Sequence, residues 1–226
     1  MPKKTTQVEG INIEWVGHST VGIYGKKTIY IDPFGEVLKG DEKKADLIIS
    51  THGHRDHFDV NAINSLSRKD TYLIIRPGCE KNNLTSGNIK EIAIDENYEV
   101  QGIGVKAVHA YNTKRFRSPG TPFHSEGFGM GVVVTMERVK FYYAGDTDFI
   151  TPMQKLRDEK IDVAFLPIGG TYTMDIDEAV DAALTIAPKI IVPVHYNHIK
   201  GTEADPMAFK EKVEKNSKSK VIVFCW

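Results

Sequence analysis

The run Thr51-His52-Gly53-His54-Arg55-Asp56-His57 constrains this chain more than any other feature. It packs three imidazoles and a carboxylate into six consecutive positions, directly after the apolar stretch Leu47-Ile48-Ile49-Ser50. Neighbouring residues of an extended chain point to opposite sides, so a strand end running into a loop can aim His52 and His54 at one point. Asp56 and His57, past the bend, can face a second point close by. Nitrogen and oxygen ligands of this kind suit zinc, and also iron or manganese. The spacing reads as two adjacent metal sites, because crowding these groups together brings a folded protein nothing unless a cation binds them.

Two such sites need more ligands than the run supplies, and the remaining candidates should also stand at strand ends. Tyr142-Tyr143-Ala144-Gly145-Asp146-Thr147 places a carboxylate after an apolar strand and a bend-permitting glycine, where its two oxygens could bridge two cations. Ile191-Val192-Pro193-Val194-His195 places an imidazole at the end of another apolar strand. Taken singly, each has an equally good plain reading, as a turn aspartate capping local backbone and as a hydrogen-bonded core histidine.

Short strand patterns fill the first half, at 11–16, 21–24, 28–31 and 47–50, then at 71–76, 89–94, 98–101 and 103–109. They resume at 130–136, 139–144, 163–166, 190–195 and 221–224. Helices are expected at 60–66, at 176–187 with Asp175 as N-cap and Pro188 beyond its end, and at 206–215 after Asp205. The segment 110–125 shows no period and reads as a long loop, a feature more often functional or mobile than inert. The pattern predicts an α/β fold: two mixed sheets packed together with helices outside, in one domain spanning 1–226.

Composition narrows the class of function. With 226 residues, 41% of them hydrophobic, the chain can bury a substantial core. A net charge of -1 does not call for nucleic acid, and the lysine-rich 210–220 segment reads as a solvated helix face. No apolar stretch approaches the roughly 20 residues that span a bilayer, and the N-terminus has no apolar run of a signal peptide. The two cysteines, Cys79 and Cys225, match no metal or redox spacing. A cytoplasmic protein acting on a small molecule is expected, with Trp15, Trp226 and the final strand as candidates for a homo-oligomer interface.

The elements His52-Gly53-His54-Arg55-Asp56-His57, Ala144-Gly145-Asp146-Thr147-Asp148 and Pro193-Val194-His195 resemble, in order and spacing, the metallo-β-lactamase superfamily over nearly the whole chain. Asp32, in Tyr30-Ile31-Asp32-Pro33, matches the aspartate that supports the His-rich loop in that superfamily. Trp15-Val16-Gly17-His18-Ser19-Thr20 is similar to the start of the branch containing ascorbate-phosphate lactonases and N-acyl phosphatidylethanolamine phospholipase D enzymes. The resemblance implies a four-layer αββα sandwich and a dinuclear metal centre. One metal is held by His52, His54 and a third histidine, the other by Asp56, His57 and His195, with Asp146 bridging. For the third histidine, His109 ends a strand, as many superfamily members have it. Ala110-Tyr111-Asn112 resembles an element of small prokaryotic relatives whose ligand lies further on, in a context like Phe123-His124, and His124 is preferred.

The implied chemistry is hydrolysis of a small ester, lactone or phosphodiester by a metal-activated hydroxide. Zinc is the first choice of ion, with manganese or iron as alternatives. Asp56 is the candidate for proton handling. His18 is read either as substrate-facing or supporting, or as a turn residue. Asn112 belongs to the candidate surroundings of the metals, and Tyr196 either reaches the pocket or packs. Lys114, Arg115 and Arg117 in the long loop either attract an anionic substrate or form a solvated surface. An iron-dependent oxygenase on the same fold is the first alternative, although diiron members typically carry Glu where this chain has His54. A nuclease is the second, opposed by the near-neutral charge and the lack of a basic arm.

Overall fold

Alternating burial decides how the two sheets of this protein face each other. The computed structural model describes residues 5–224. The first sheet runs in chain order through β1 (Thr5–Val8), β2 (Ile11–Gly17), β3 (Thr20–Tyr24), β4 (Thr28–Ile31), β5 (Leu47–Ser50), β6 (Tyr72–Ile75) and β7 (Asn88–Glu91). It is antiparallel from β1 to β4 and parallel from β4 to β7. In β4 and β5, Ile29, Ile31, Leu47 and Ile49 face the other sheet. Tyr30 and Ile48, one residue out of phase, face outward into a second cluster with Ile63 and Leu66 of α1 (Val60–Leu66). These strands are therefore apolar on both faces, and each fully buried aliphatic side chain contributes about 1.5–3 kcal/mol of burial.

The next strands are β8 (Asn97–Val100) and β9 (Ile103–Val108), followed by a small separate hairpin of β10 (Phe116–Ser118) and β11 (Thr121–Pro122). The second sheet continues through β12 (Gly131–Met136), β13 (Val139–Tyr143), β14 (Val163–Pro167), β15 (Ile190–Val194) and β16 (Lys220–Val221). Its order is β16-β15-β14-β13-β12-β9-β8, parallel from β13 to β16 and antiparallel from β13 to β8. Two further helices, α2 (Ile176–Ile186) and α3 (Pro206–Asn216), bury Ala179, Ala183, Phe209 and Val213. The result is two mixed sheets with helices outside, the αββα arrangement.

The helix ends match the sequence closely. The Asp175 side chain accepts from Glu178 N, and the Asp205 side chain from Met207 N, as N-caps do. Ala187, before Pro188, closes α2 in a left-handed conformation at φ 52°. Other elements differ from expectation. β1 is polar and exposed at its start, so it carries no strand pattern. The 110–125 segment contains the β10–β11 hairpin, and Thr151–Arg157 forms a 3-10 turn. The last strand pairs only over Lys220–Val221, although Ile222 N still donates to Ile191 O. Trp15 is buried and stacks on Tyr196 at 4.7 Å, which removes it as an interface residue. Cys225 and Trp226 lie outside the described residues. No helix among the described residues is long and apolar enough to cross a membrane.

The parallel strands β4, β5, β13, β14 and β15 all end at the same edge of the sandwich. In sheets of this kind that edge is where ligands bind.

Candidate metal centre

All the site residues but His124 leave a strand at this edge. Asp32 follows β4, the His52–His57 loop follows β5, Asp146 follows β13 and His195 follows β15. His18 occupies the turn between β2 and β3. Three of these residues, His18 (φ 46°), Asp32 (φ 49°) and His195 (φ 56°), adopt the left-handed conformation that few non-glycine residues take. Such strain concentrates where a fold must redirect a side chain. Gly145 (φ 67°) makes the bend before Asp146, and a Cβ there would meet Met130 O at 2.6 Å.

Two clusters result. In the first, His54 Nδ1 lies 3.1 Å from His52 Nε2 and 3.2 Å from His124 Nε2. Asp146 Oδ2 stands 3.3 Å from His124 Nε2. In the second, His57 Nε2 lies 3.3 Å from Asp56 Oδ2 and 3.3 Å from Asp146 Oδ1. His195 Nε2 is also 3.3 Å from Asp146 Oδ1, and 4.0 Å from Asp56 Oδ2. Asp146 thus turns one oxygen to each cluster. Ligands held 2.0–2.1 Å from a tetrahedral ion stand about 3.3 Å apart, a spacing that all of these pairs except His195–Asp56 match.

Three atoms of the second cluster, His57 Nε2, His195 Nε2 and Asp146 Oδ1, are buried and lack any hydrogen-bond partner. Leaving such groups unsatisfied is costly. A cation at their common focus satisfies all three, and the donor set fits one.

The surrounding hydrogen bonds prepare the imidazoles to act as ligands. His57 Nδ1 donates to Asp32 Oδ2 at 2.6 Å, which leaves Nε2 facing the site and free to bind a cation once its proton is displaced. Thr51 Oγ1 donates to the same Asp32 oxygen at 2.7 Å and so accepts from His52 Nδ1 at 3.1 Å. His124 Nδ1 donates to Asn112 Oδ1 at 2.8 Å. Asn112 in turn donates to Asp148 Oδ1 at 3.0 Å and to Tyr172 O at 3.0 Å. His18 Nε2 donates to Asp56 Oδ2 at 2.9 Å, and the Ser19 hydroxyl donates to Asp56 O at 2.7 Å. The His18 carbonyl accepts from His195 N and from Trp15 Nε1, so one turn braces residues from both sheets.

Electrostatics agree with this arrangement. Burial and the neighbouring His57 hold His52 and His54 below the ordinary imidazole range, and burial takes His124 down to about 4. All three stay neutral, as metal ligands must. Burial would raise the carboxyls of Asp146 and Asp56. The imidazoles of His195, His57 and His124 around the first, and of His57 and His18 around the second, overcome it and keep both ionised. His57 is the exception: burial pulls it down, but Asp146, Asp56 and Asp32 outweigh this and hold it well above its usual value. A proton on His57 occupies the position that a cation would otherwise fill.

Some expected residues stand elsewhere. His109 lies outside both clusters, between Asp95 (3.8 Å) and Glu126 (3.6 Å), where it lines a separate cleft with Lys106 and Met153. Lys114 pairs with Glu178 at 2.8 Å, and Arg115 with Asp148 at 2.7 Å and with Glu178, so neither offers its charge to a substrate. Tyr196 packs on Trp15 instead of reaching the pocket. Of the three loop cations only Arg117 reaches the cavity above the two clusters. This cavity has a volume of about 250 Å³ and is walled by His54, Asp56, His124 and His195 with Phe123, Tyr172 and Ile199. Larger clefts elsewhere, such as one of 490 Å³ beside Phe149 and Arg157, gather no comparable set of converging groups.

Sequence reasoning missed Asp148, which is fully buried and accepts from Thr113 N (2.6 Å) and Lys114 N (2.7 Å), tying down the loop that carries His124. Its place two residues after Asp146 was the available hint. Phe128, whose ring lies 5.0 Å from that of His54, was also missed, and nothing in its sequence context marks it.

Comparisons with known proteins identify the family of the chain. The beta-lactamase superfamily domain family matches residues 12–195. A UPF0173 metal-dependent hydrolase from Thermoplasma acidophilum is 37% identical over 216 residues, covering 90% of this chain and 91% of that protein. A solved metallo hydrolase from Ignicoccus hospitalis superposes with a TM-score of 0.76 at 27% identity, covering 95% of this chain and 94% of the other. A solved protein from Parabacteroides distasonis, described as a candidate metal-dependent hydrolase, superposes with a TM-score of 0.83 at 29% identity, covering 99% and 98%. The chain belongs to the beta-lactamase superfamily and, within it, to the UPF0173 metal-dependent hydrolases.

Proposed function

We propose that this member of the beta-lactamase superfamily is a dinuclear metal-dependent hydrolase of a small ester, lactone or phosphodiester. The observation that carries this reading is the focus shared by His57 Nε2, His195 Nε2 and Asp146 Oδ1, three buried atoms with no partner. His52, His54 and His124 would hold one ion and Asp56, His57 and His195 the other, with Asp146 shared between them. Zinc suits this donor set best, and manganese is the second choice. Bound cations would supply a water of lowered pKa and polarise the oxygen of the bond being cut.

The chain's own residues do the rest. Asp56 lines the cavity and is kept ionised, so it can accept a proton from an incoming water. His18, fully buried, fixes the orientation of that carboxylate through Nε2 and is a positioning residue. A cavity of about 250 Å³ favours a small molecule over a polymer, which speaks against a nuclease. His54 in the first cluster, together with relatives named as hydrolases, speaks against an iron oxygenase.

The experiment is to strip the protein of metal, reload it with zinc, manganese or iron, and assay lactones, aryl esters and phosphodiesters. Hydrolysis that returns with zinc or manganese is expected. Oxygen consumption with iron, and no hydrolysis with any ion, would overturn the reading.

A further inference from the structure

The three cations of the 110–125 segment are treated unequally. Lys114 and Arg115 are neutralised by Glu178, Asp148 and Asp175. Arg117 has no carboxylate within ion-pair distance among the described residues. Its guanidinium lies 5.8 Å from the centre of the Phe123 ring and makes one long bond, 3.4 Å, to the Phe123 carbonyl. A guanidinium resting on an aromatic ring keeps N–H edges available to a planar anion. Among the described residues, Arg117 is also the one lysine or arginine in the wall of the cavity that His54, Asp56, Asp146 and His195 line.

Beside Arg117 the wall is apolar. Phe123 and Tyr172 meet edge to face, with ring centres 4.9 Å apart, and Ile199 completes the surface. The hairpin position is fixed from below, because Phe123 N donates to Arg115 O and Arg115 is anchored by Asp148. The two paired cations thus hold up the loop that presents the unpaired one.

We propose that this wall is a subsite for an anionic oxygen group on the substrate, a carboxylate or phosphate carried apart from the bond that is cut. Arg117 binds the anion, and Phe123 and Tyr172 pack against the carbon skeleton that joins it to the reacting group. This rests on the metal-centre reading above, and it narrows the substrate to a small amphiphilic anion.

The test uses metal-loaded protein and simple acids, so it does not depend on knowing the substrate. Butyrate offers one carboxylate for the metals, whereas the diacids succinate, glutarate and adipate offer a second for Arg117. Dissociation constants are measured by calorimetry for the wild type, Arg117→Gln and Arg117→Lys, with metal content determined for each protein. One diacid of the series should bind about ten- to a hundred-fold more tightly than butyrate to the wild type, the gain expected for a charge-assisted bond. That ratio should collapse in Arg117→Gln and be partly restored in Arg117→Lys. A diacid preference that survives Arg117→Gln, or diacids that bind no better than butyrate, overturns the subsite alone. Failure of every acid to bind protein that holds its metal overturns the subsite, whereas protein that takes up no metal overturns the metal-centre reading and the subsite with it.

Discussion

Replacing Asp32 by Asn changes a single atom of a fully buried side chain, and it should disable a ligand in each half of the centre. Asp32 Oδ1 accepts from Thr51 N at 2.7 Å, so the Asn carbonyl must remain on that side. The amide NH2 then takes the place of Oδ2 and presents donors to His57 Nδ1 and Thr51 Oγ1, both of which now donate to that oxygen. To accept, His57 must move its proton from Nδ1 to Nε2, the atom that faces Asp56 and Asp146. Thr51, now an acceptor from Asn, turns its own hydroxyl proton toward His52 Nδ1, and that imidazole is pushed to the Nε2–H form as well. Restoring the metal-binding tautomers leaves opposed donors in a buried site, a penalty of about 1–3 kcal/mol for each imidazole. Loss of such supporting contacts weakens metal binding by about ten- to a hundred-fold. The assay is competition for zinc against a chelator of known affinity, with circular dichroism and the metal-free melting temperature as controls for folding. Folded Asp32→Asn protein that binds zinc within about threefold of the wild type would refute the tautomer argument.

Two further outcomes follow from the same geometry. Assayed at saturating zinc, so that any weakened metal binding is made good, His18→Ala should lower kcat by about ten- to a hundred-fold, because Asp56 loses its fixed orientation; a change confined to KM would show that His18 acts on substrate binding instead. Metal-free protein should lose stability as pH falls from about 6.5 toward 4. Burial brings His18 and His124 down to about 4, so in that window the unfolded chain takes up protons that the folded chain refuses. His57 has the opposite sign. Its stabilisation is complete below the unfolded value and is lost only as pH rises through its raised one, so it does not cancel the acid effect. Chemical denaturation of the metal-free wild type and His124→Gln across this range checks the prediction, and the variant should show the shallower slope.

The His52–His57 loop was legible in the sequence because its ligands are neighbours on one strand exit. The strands before it announce themselves by being apolar on both faces, as Tyr30 and Ile48 illustrate. Asp146 and His195 were ambiguous singly and gained meaning only from recurring at strand ends. The choice between His124 and His109 shows where local pattern stops. His109 follows a regular strand, whereas His124 sits in a segment with little regular structure and is brought into the cluster by Asn112 and Asp148, the latter 36 residues beyond Asn112. Hydrogen bonds of that reach have no periodicity to read. The loop cations make the same point, since Glu178, which neutralises Lys114, lies 64 residues away on α2. A charge looks available in sequence until the fold supplies its partner.

The most direct test of the dinuclear centre is the number of metal ions per folded chain, measured by mass spectrometry after purification and again after dialysis against zinc. The arrangement of His52, His54 and His124 on one side of Asp146, with Asp56, His57 and His195 on the other, predicts two ions in the wild type and at most one in His195→Ala. A wild-type protein that stays at one ion or none after zinc dialysis, while remaining folded, would contradict it.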